Sequence, residues 1–273
     1  MMAQVRPVGD LLRDWRHRRR VSQLHLALEA EISPRHLSFL ETGRSRPSRE
    51  MILRLADHLQ VPLRERNAML NAAGYVAAFA ERPLSDPALA RARAAVELVL
   101  AGHEPYPAIA VDRHWTLVAA NRVVEPLLAG IDASLLQPPV NVLRLSLHPL
   151  GLAPRIANLA EWRAHLLKRL RQQVDATGDA VLTVLLGELR SYPEPPGMPA
   201  EESGSRRDYA GIVVPFELRT PAGVLALFST TTVFGTPVDI TLSELAVESF
   251  FPADNATAAA LRAGAAAGAR PHG

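Results

Sequence analysis

Arg35 and His36, followed closely by Arg44, Arg46 and Arg49, bring a dense set of hydrogen-bond donors into one stretch of chain. A guanidinium is a planar fork that fits the O6 and N7 edge of guanine or a pair of phosphate oxygens, so the chemistry open to this stretch is recognition of a polyanion. The charge distribution points the same way. Met1 to Arg66 carry 13 Arg against 8 Asp and Glu, a balance of +5, whereas the remainder carries 17 basic and 20 acidic residues, a balance of −3. Such polarity is an argument about partners rather than about fold. The prevalence of Arg itself, with Lys168 as the sole lysine, is attributed first to codon usage.

Bond-making chemistry has no comparable foothold. With Cys at 0, thiolate nucleophiles, iron–sulfur clusters and Cys-type zinc sites are excluded. Lys168 follows Leu167 with no glycine before it, so no phosphate loop of the Gly-Lys-Ser/Thr kind exists. The 9 histidines contain no pair at i, i+4, and neither H-E-x-x-H nor G-x-S-x-G occurs. Glu201 and Glu202 stand side by side in a Pro/Gly/Ser-rich stretch, Tyr192 to Ser205, where a solvated pair is expected rather than a dyad at fixed separation. A protein that is no enzyme and needs no cofactor is the expectation.

The elements that must carry these residues follow from apolar spacing. Val8, Leu11, Leu12 and Trp15 form one helical stripe; Leu24, Ala27 and Leu28 a second; Leu37 and Leu40 a third. Ile52, Leu55, Ala56 and Leu59 form a fourth, and Leu63, Asn67 and Leu70 a fifth that stops at Gly74. Ser22 and Ser33 suit helix N-caps, and Pro34, Pro47-Ser48 and Pro62 suit helix starts. Five short helices therefore fill residues 1–75 as an all-α unit. Residues 76–105 read as a linker with a connecting helix near Ala88 to Ala101. The pattern then turns to strands at Ala108 to Asp112 and Thr116 to Ala120, a hairpin, with Asn121 placed to cap a helix over Arg122 to Leu128. Helices are expected at Asn158 to Arg171 and Asp179 to Arg190, and strands at Gly211 to Arg219, Val224 to Val233 and Leu242 to Phe251. Residues 255–273, rich in Ala and Gly, are expected to form a disordered tail. A composition 48% hydrophobic and 21% charged excludes disorder throughout, and no apolar run is long enough to span a bilayer. With no secretory leader at the start, a cytoplasmic protein without a membrane partner is expected.

Ser22-Gln23-Leu24-His25-Leu26-Ala27, Ile32 to Gly43 and Arg46-Pro47-Ser48 together resemble the phage-repressor-like, Xre-type helix-turn-helix. The resemblance implies a second helix starting at the Ser-Gln pair and a third lying in the DNA major groove. It places Pro34, Arg35, His36 and Phe39 towards base edges and Ser22 and Gln23 towards phosphate. Arg44, Arg46 and Arg49 lie just past the third helix, where phosphate contacts would position the protein without reading sequence. Pro34 and Phe39 depart from the polar residues common in the family and offer only apolar contact, for example to a thymine methyl. Phe39 admits two placements, inward as core or outward beside Arg35. Arg16 to Arg20 (RHRRR) reads first as a solvated helix end that complements the dipole.

Tyr106 to Trp115 followed by Ala119-Ala120-Asn121-Arg122 resembles the opening of a PAS-type sensor domain. Joined to Asn141 to Leu145, His148-Pro149, Asn158 with Trp162, and Glu244 to Asp254, it resembles the MmyB-like transcriptional regulators. The implied fold is an all-α helix-turn-helix followed, over residues 106–254, by an α+β PAS-like ligand-binding domain. The implied ligand is an apolar small molecule, with fatty acids as the candidate class. Arg144, His148, Asn158 and Trp162 are the polar candidates for such a pocket, standing among Leu-rich neighbours. Each has a plainer role open to it: Trp162 and Trp115 as core, His148 as partner of a backbone group. Tyr192 and the proline loop are either a lid or an idle surface loop. The expected protein is a sequence-specific, ligand-responsive DNA-binding regulator acting as a homodimer on double-stranded DNA. The competing expectation is a non-catalytic protein-interaction or antitoxin-like module.

Overall fold

Three serines in extended backbone open three of the first helices. In the computed structural model, which describes residues 6–193, 214–235, 237 and 239–268, the hydroxyls of Ser22, Ser33 and Ser48 accept the backbone N–H of His25, His36 and Met51, each at 3.1 Å. Each bond satisfies an amide that the first turn leaves without a partner. The helices are α1 (Val8–Arg18), α2 (Gln23–Glu29), α3 (Pro34–Glu41), α4 (Arg49–His58) and α5 (Leu63–Ala72). One core is built around Leu12, Trp15, Leu26, Leu37, Leu55 and Leu70. On α2 the buried face is Leu26 and Ala27, whereas Leu24 and Leu28, expected in the stripe with Ala27, are exposed. At Gly9 the backbone of α1 comes so near α3 that a Cβ would lie 2.5 Å from the Leu40 carbonyl oxygen.

The chain parts into two units: Met1–Pro83 with Thr236–Ser243, and Leu84–Gly235 with Glu244–Gly273. The first unit runs past the expected boundary at residue 75, because the Asn67 side chain holds the returning chain through Ala78 N, Phe79 N and Phe79 O. The buried carboxylate of Asp239, paired to Arg82 at 3.0 Å, fixes the later insertion within this unit.

The second unit opens with α6 (Ala90–Gly102), then β1 (Ala108–Val111), β2 (Leu117–Ala120), α7 (Val124–Leu127), α8 (Val142–Leu147), α9 (Leu159–Thr177), α10 (Ala180–Ser191), β3 (Phe216–Thr220) and β4 (Gly223–Val233). After α11 (Ile240–Ser243), which belongs to the first unit, come β5 (Ala246–Pro252) and α12 (Asn255–Gly268). The strands form an antiparallel sheet in the order β2-β1-β5-β4-β3. An all-α helix-turn-helix followed by an α+β PAS-like domain is thus the architecture. The main core of the second unit lies between this sheet and α8, α9 and α10, with Leu166, Leu170, Leu185, Phe216 and Leu227 among its members.

Several expectations are corrected. Residues 255–268 are helix rather than disordered tail: the Asp254 carboxylate accepts Thr257 N at 2.7 Å, Ala favours helix, and Thr257, Ala258 and Leu261 are buried. Small side chains let this helix lie on β4 without a run of large apolar residues. Asn121 does not cap α7. Its buried side chain accepts Ala108 N and donates to the carbonyls of Leu100 and Tyr106, pinning α6 to β1. Residues 84–105 belong to the second unit instead of linking it, since Val96 and Leu100 pack on β1 and β5. The last strand begins at Ala246, not Leu242. Gly211, Glu201, Glu202 and the rest of the Pro/Gly-rich stretch from residue 194 lie outside the described residues.

Candidate DNA-reading face and ligand cavity

α3 turns two chemically opposite faces to its surroundings. Leu37, Leu40 and Glu41 are buried, while Pro34 and Arg35 are exposed and His36 and Phe39 are half-buried. Phe39 belongs to neither hydrophobic core: the guanidinium carbons of Arg35 and Arg44 stand 5.3 and 5.9 Å from its ring centroid. The i, i+4 spacing brings Arg35 over the ring. Arg44 arrives because its own amide closes the end of α3 on the Phe39 carbonyl, at 2.9 Å. The outward placement of Phe39 is therefore the one found, and the structure gathers Pro34, Arg35, His36 and Phe39 on one short helix.

The inner face is fixed by charge. Arg16 donates through Nε and Nη2 to both oxygens of Glu41, at 2.6 and 2.9 Å, and through Nη1 to the Val21 carbonyl at 3.0 Å. Gln23 Nε2 donates to the same carboxylate at 2.7 Å, so its amide nitrogen is committed within the unit. Burial opposes ionisation of Glu41, but the hydrogen bonds from Arg16 and Gln23 outweigh it and hold the carboxyl below its usual range. Arg16 is thus no solvated helix end, which corrects the reading of the RHRRR run. Arg19 likewise donates to the carbonyls of Leu59 and Gln60, whereas Arg20 is exposed. Ser22 is spent on its cap. Arg44, Arg46 and Arg49 are exposed and make no ion pair among the described residues.

In the second unit a cavity of about 120 Å³ lies between the sheet and α8–α9. Ile109, Leu117, Leu143, Leu166, Leu218 and Phe250 typify its wall. Polar side chains reach it at Ser146, Arg169, Ser229 and Glu248. Of the four residues picked out from sequence, Trp162 lines it and donates through Nε1 to Ser146 Oγ at 3.0 Å. The other three are elsewhere. Arg144 forms a two-point pair with Glu188, both bonds at 2.7 Å, and Tyr192 OH donates to the same carboxylate at 2.6 Å. His148 accepts Leu150 N through Nδ1 and meets the Tyr192 ring edge-on. Asn158 donates to the Pro215 carbonyl and accepts Glu217 N, fastening the start of α9 to β3. Burial and the neighbouring Glu188 carboxylate push the Tyr192 hydroxyl well above its usual range.

Arg169 and Glu248 are the polar pair that sequence reasoning passed over. Arg169 stands at i+7 from Trp162 and i+3 from Leu166, so an Arg on an otherwise apolar face was the available signal. Glu248 sits in central strand β5 directly opposite Ile109 and Thr231. Trp115, another wall residue, adopts φ 66, held there by the Asp112 carboxylate, which accepts His114 N and Thr116 N at 2.8 Å. A bulky residue in this region of backbone space is costly and is sustained by its surroundings. Here it puts the indole under the Arg169 guanidinium at 4.6 Å.

Residues 7–69 match a helix-turn-helix domain, and residues 92–263 match the MmyB-like transcription regulator ligand binding domain. The molecule is a DNA-binding transcription regulator with a ligand-sensing domain. As the second match spans more than half of its length, the chain belongs to the MmyB-like family of regulators. Both matched families are regulatory rather than catalytic. No curated relative matches the chain. No helix among the described residues is long and apolar enough to cross a membrane.

Proposed function

We propose that this chain is a cytoplasmic, non-catalytic regulator that binds operator DNA sequence-specifically as a homodimer and responds to an apolar small molecule, for which a fatty-acid-like chain is the starting candidate. The observation that carries the reading is the cavity: a concave space with almost wholly apolar walls and few polar groups is what a flexible hydrocarbon ligand needs. Arg35, Phe39 and His36 supply base contacts, and Arg44, Arg46 and Arg49 supply phosphate contacts. A dimer sets two such helices on half-sites about one helical turn apart. The strands carrying Thr231 and Glu248 are joined by residues 236–243 of the first unit, so the chain itself runs from cavity wall to DNA-binding unit. Selection of bound fragments from the source genome by the purified protein tests the proposal. Enrichment of a palindromic site supports it, and uniform recovery of all fragments contradicts it.

A further inference from the structure

Resting on the reading of the cavity as a ligand site, we infer that it selects a ligand whose head group is uncharged, a long-chain alcohol, ester or amide rather than a free carboxylate, and that Glu248 sets this preference. Arg169 is the one cationic side chain on the described wall, and it is already neutralised. Its Nη1 and Nη2 donate to the two Glu248 oxygens at 3.1 and 2.5 Å, and Nη2 donates also to Thr231 Oγ1 at 2.7 Å. Thr231 in turn donates to Glu248 Oε1 at 2.9 Å. The Glu248 side chain is only 4% exposed, and the Arg169 side chain, 30% exposed, has its guanidinium carbon 4.6 Å from the Trp115 ring centroid.

A ligand carboxylate has two ways to reach Arg169. It lies beside the Glu248 charge against a low-dielectric wall, or it displaces Glu248 and leaves that carboxylate buried without a partner. Both are strongly unfavourable. A hydroxyl, ester carbonyl or amide meets the same ion pair, or the hydroxyls of Ser146 and Ser229, by hydrogen bonds that add no charge. The apolar wall accepts the chain in either case, so discrimination falls on the head group.

The test uses the full-length protein, freed of copurifying lipid, titrated at about pH 8 with decanol, methyl decanoate and decanoate while tryptophan fluorescence and calorimetry report binding. Expected is binding of decanol and methyl decanoate at least about tenfold tighter than decanoate, the difference a poorly paired buried charge readily makes. Decanoate binding as tightly as decanol, or more tightly, overturns the inference but leaves the cavity as a ligand site. Binding of none of the three overturns the cavity reading and the inference with it. Glu248→Gln, which leaves Arg169 with its charge, is expected to raise the affinity for decanoate relative to decanol about tenfold. No relative gain for decanoate in a folded Glu248→Gln protein contradicts the role of Glu248, and the wild-type series decides the preference even if that variant does not fold.

Discussion

Arg16 crosses from α1 to hold both carboxylate oxygens of Glu41, the last residue of α3, and the two side chains are 9% and 1% exposed. A helix of only 8 residues has few contacts of its own, so this pair and Gly9 together set where α3 lies. Removing one member leaves a buried charge unpaired. Glu41→Gln is expected to lower unfolding stability by about 3–5 kcal/mol, measured by urea denaturation. A loss below about 0.5 kcal/mol contradicts the assignment.

The same carboxyl carries a pH dependence. Its folded value lies below the ordinary 4.5, so the unfolded chain binds the proton first and the stabilisation is complete above 4.5. Stability contributed by Glu41 is therefore lost as pH falls from 4.5 through the lower folded value. Subtracting the Glu41→Gln curve from the wild-type curve isolates this loss. A difference that is flat with pH in the acid range is inconsistent with it.

Gly9→Ala tests the close approach of α1 to α3. The new Cβ meets the carbonyl oxygens of Leu40 and Glu41 at 2.5 and 2.8 Å, both backbone atoms that cannot swing aside. A destabilisation of about 1–3 kcal/mol is expected, with weakened operator binding as α3 shifts. Thermal melting unchanged from wild type is the opposing result.

Arg35→Ala and Arg46→Ala separate reading from positioning. The first is expected to cost about 1–3 kcal/mol on the selected operator and much less on random duplex. The second should weaken both alike and reduce the steepness of the salt dependence by about one unit in log–log slope. Anisotropy titrations in a salt series distinguish the two; equal losses for Arg35→Ala on both duplexes contradict its role.

Local signals in the sequence were the reliable ones. The capping serines, Pro34 at the first turn and the helical spacing of the first five elements depend on neighbours within a turn, and each helix formed where indicated, although α2 buries Leu26 rather than Leu24 and Leu28. The β1–β2 hairpin was legible for the same reason. What failed depended on distant partners. Asn121 has the chemistry of a cap, yet the chain offers it three backbone groups instead, on α6, on β1 and at Tyr106 between them. α12 carries too few large apolar residues to announce itself, and its burial comes from lying on β4. Arg169 and Glu248 are separated by 79 positions, and only the packing of α9 on the sheet makes them neighbours. Arg144, chosen for its Leu-rich surroundings, found Glu188 on α10, a choice that no spacing within its own helix reveals.

The central claim, that occupancy of the apolar cavity governs DNA binding, is tested most directly by fluorescence anisotropy of the full-length protein on its selected operator, with and without saturating decanol. A change in operator affinity of at least about fivefold, with nonspecific affinity unaltered, is the result this account predicts, a coupling of ordinary size between two sites. Identical operator affinity under conditions where calorimetry shows the cavity filled would contradict it.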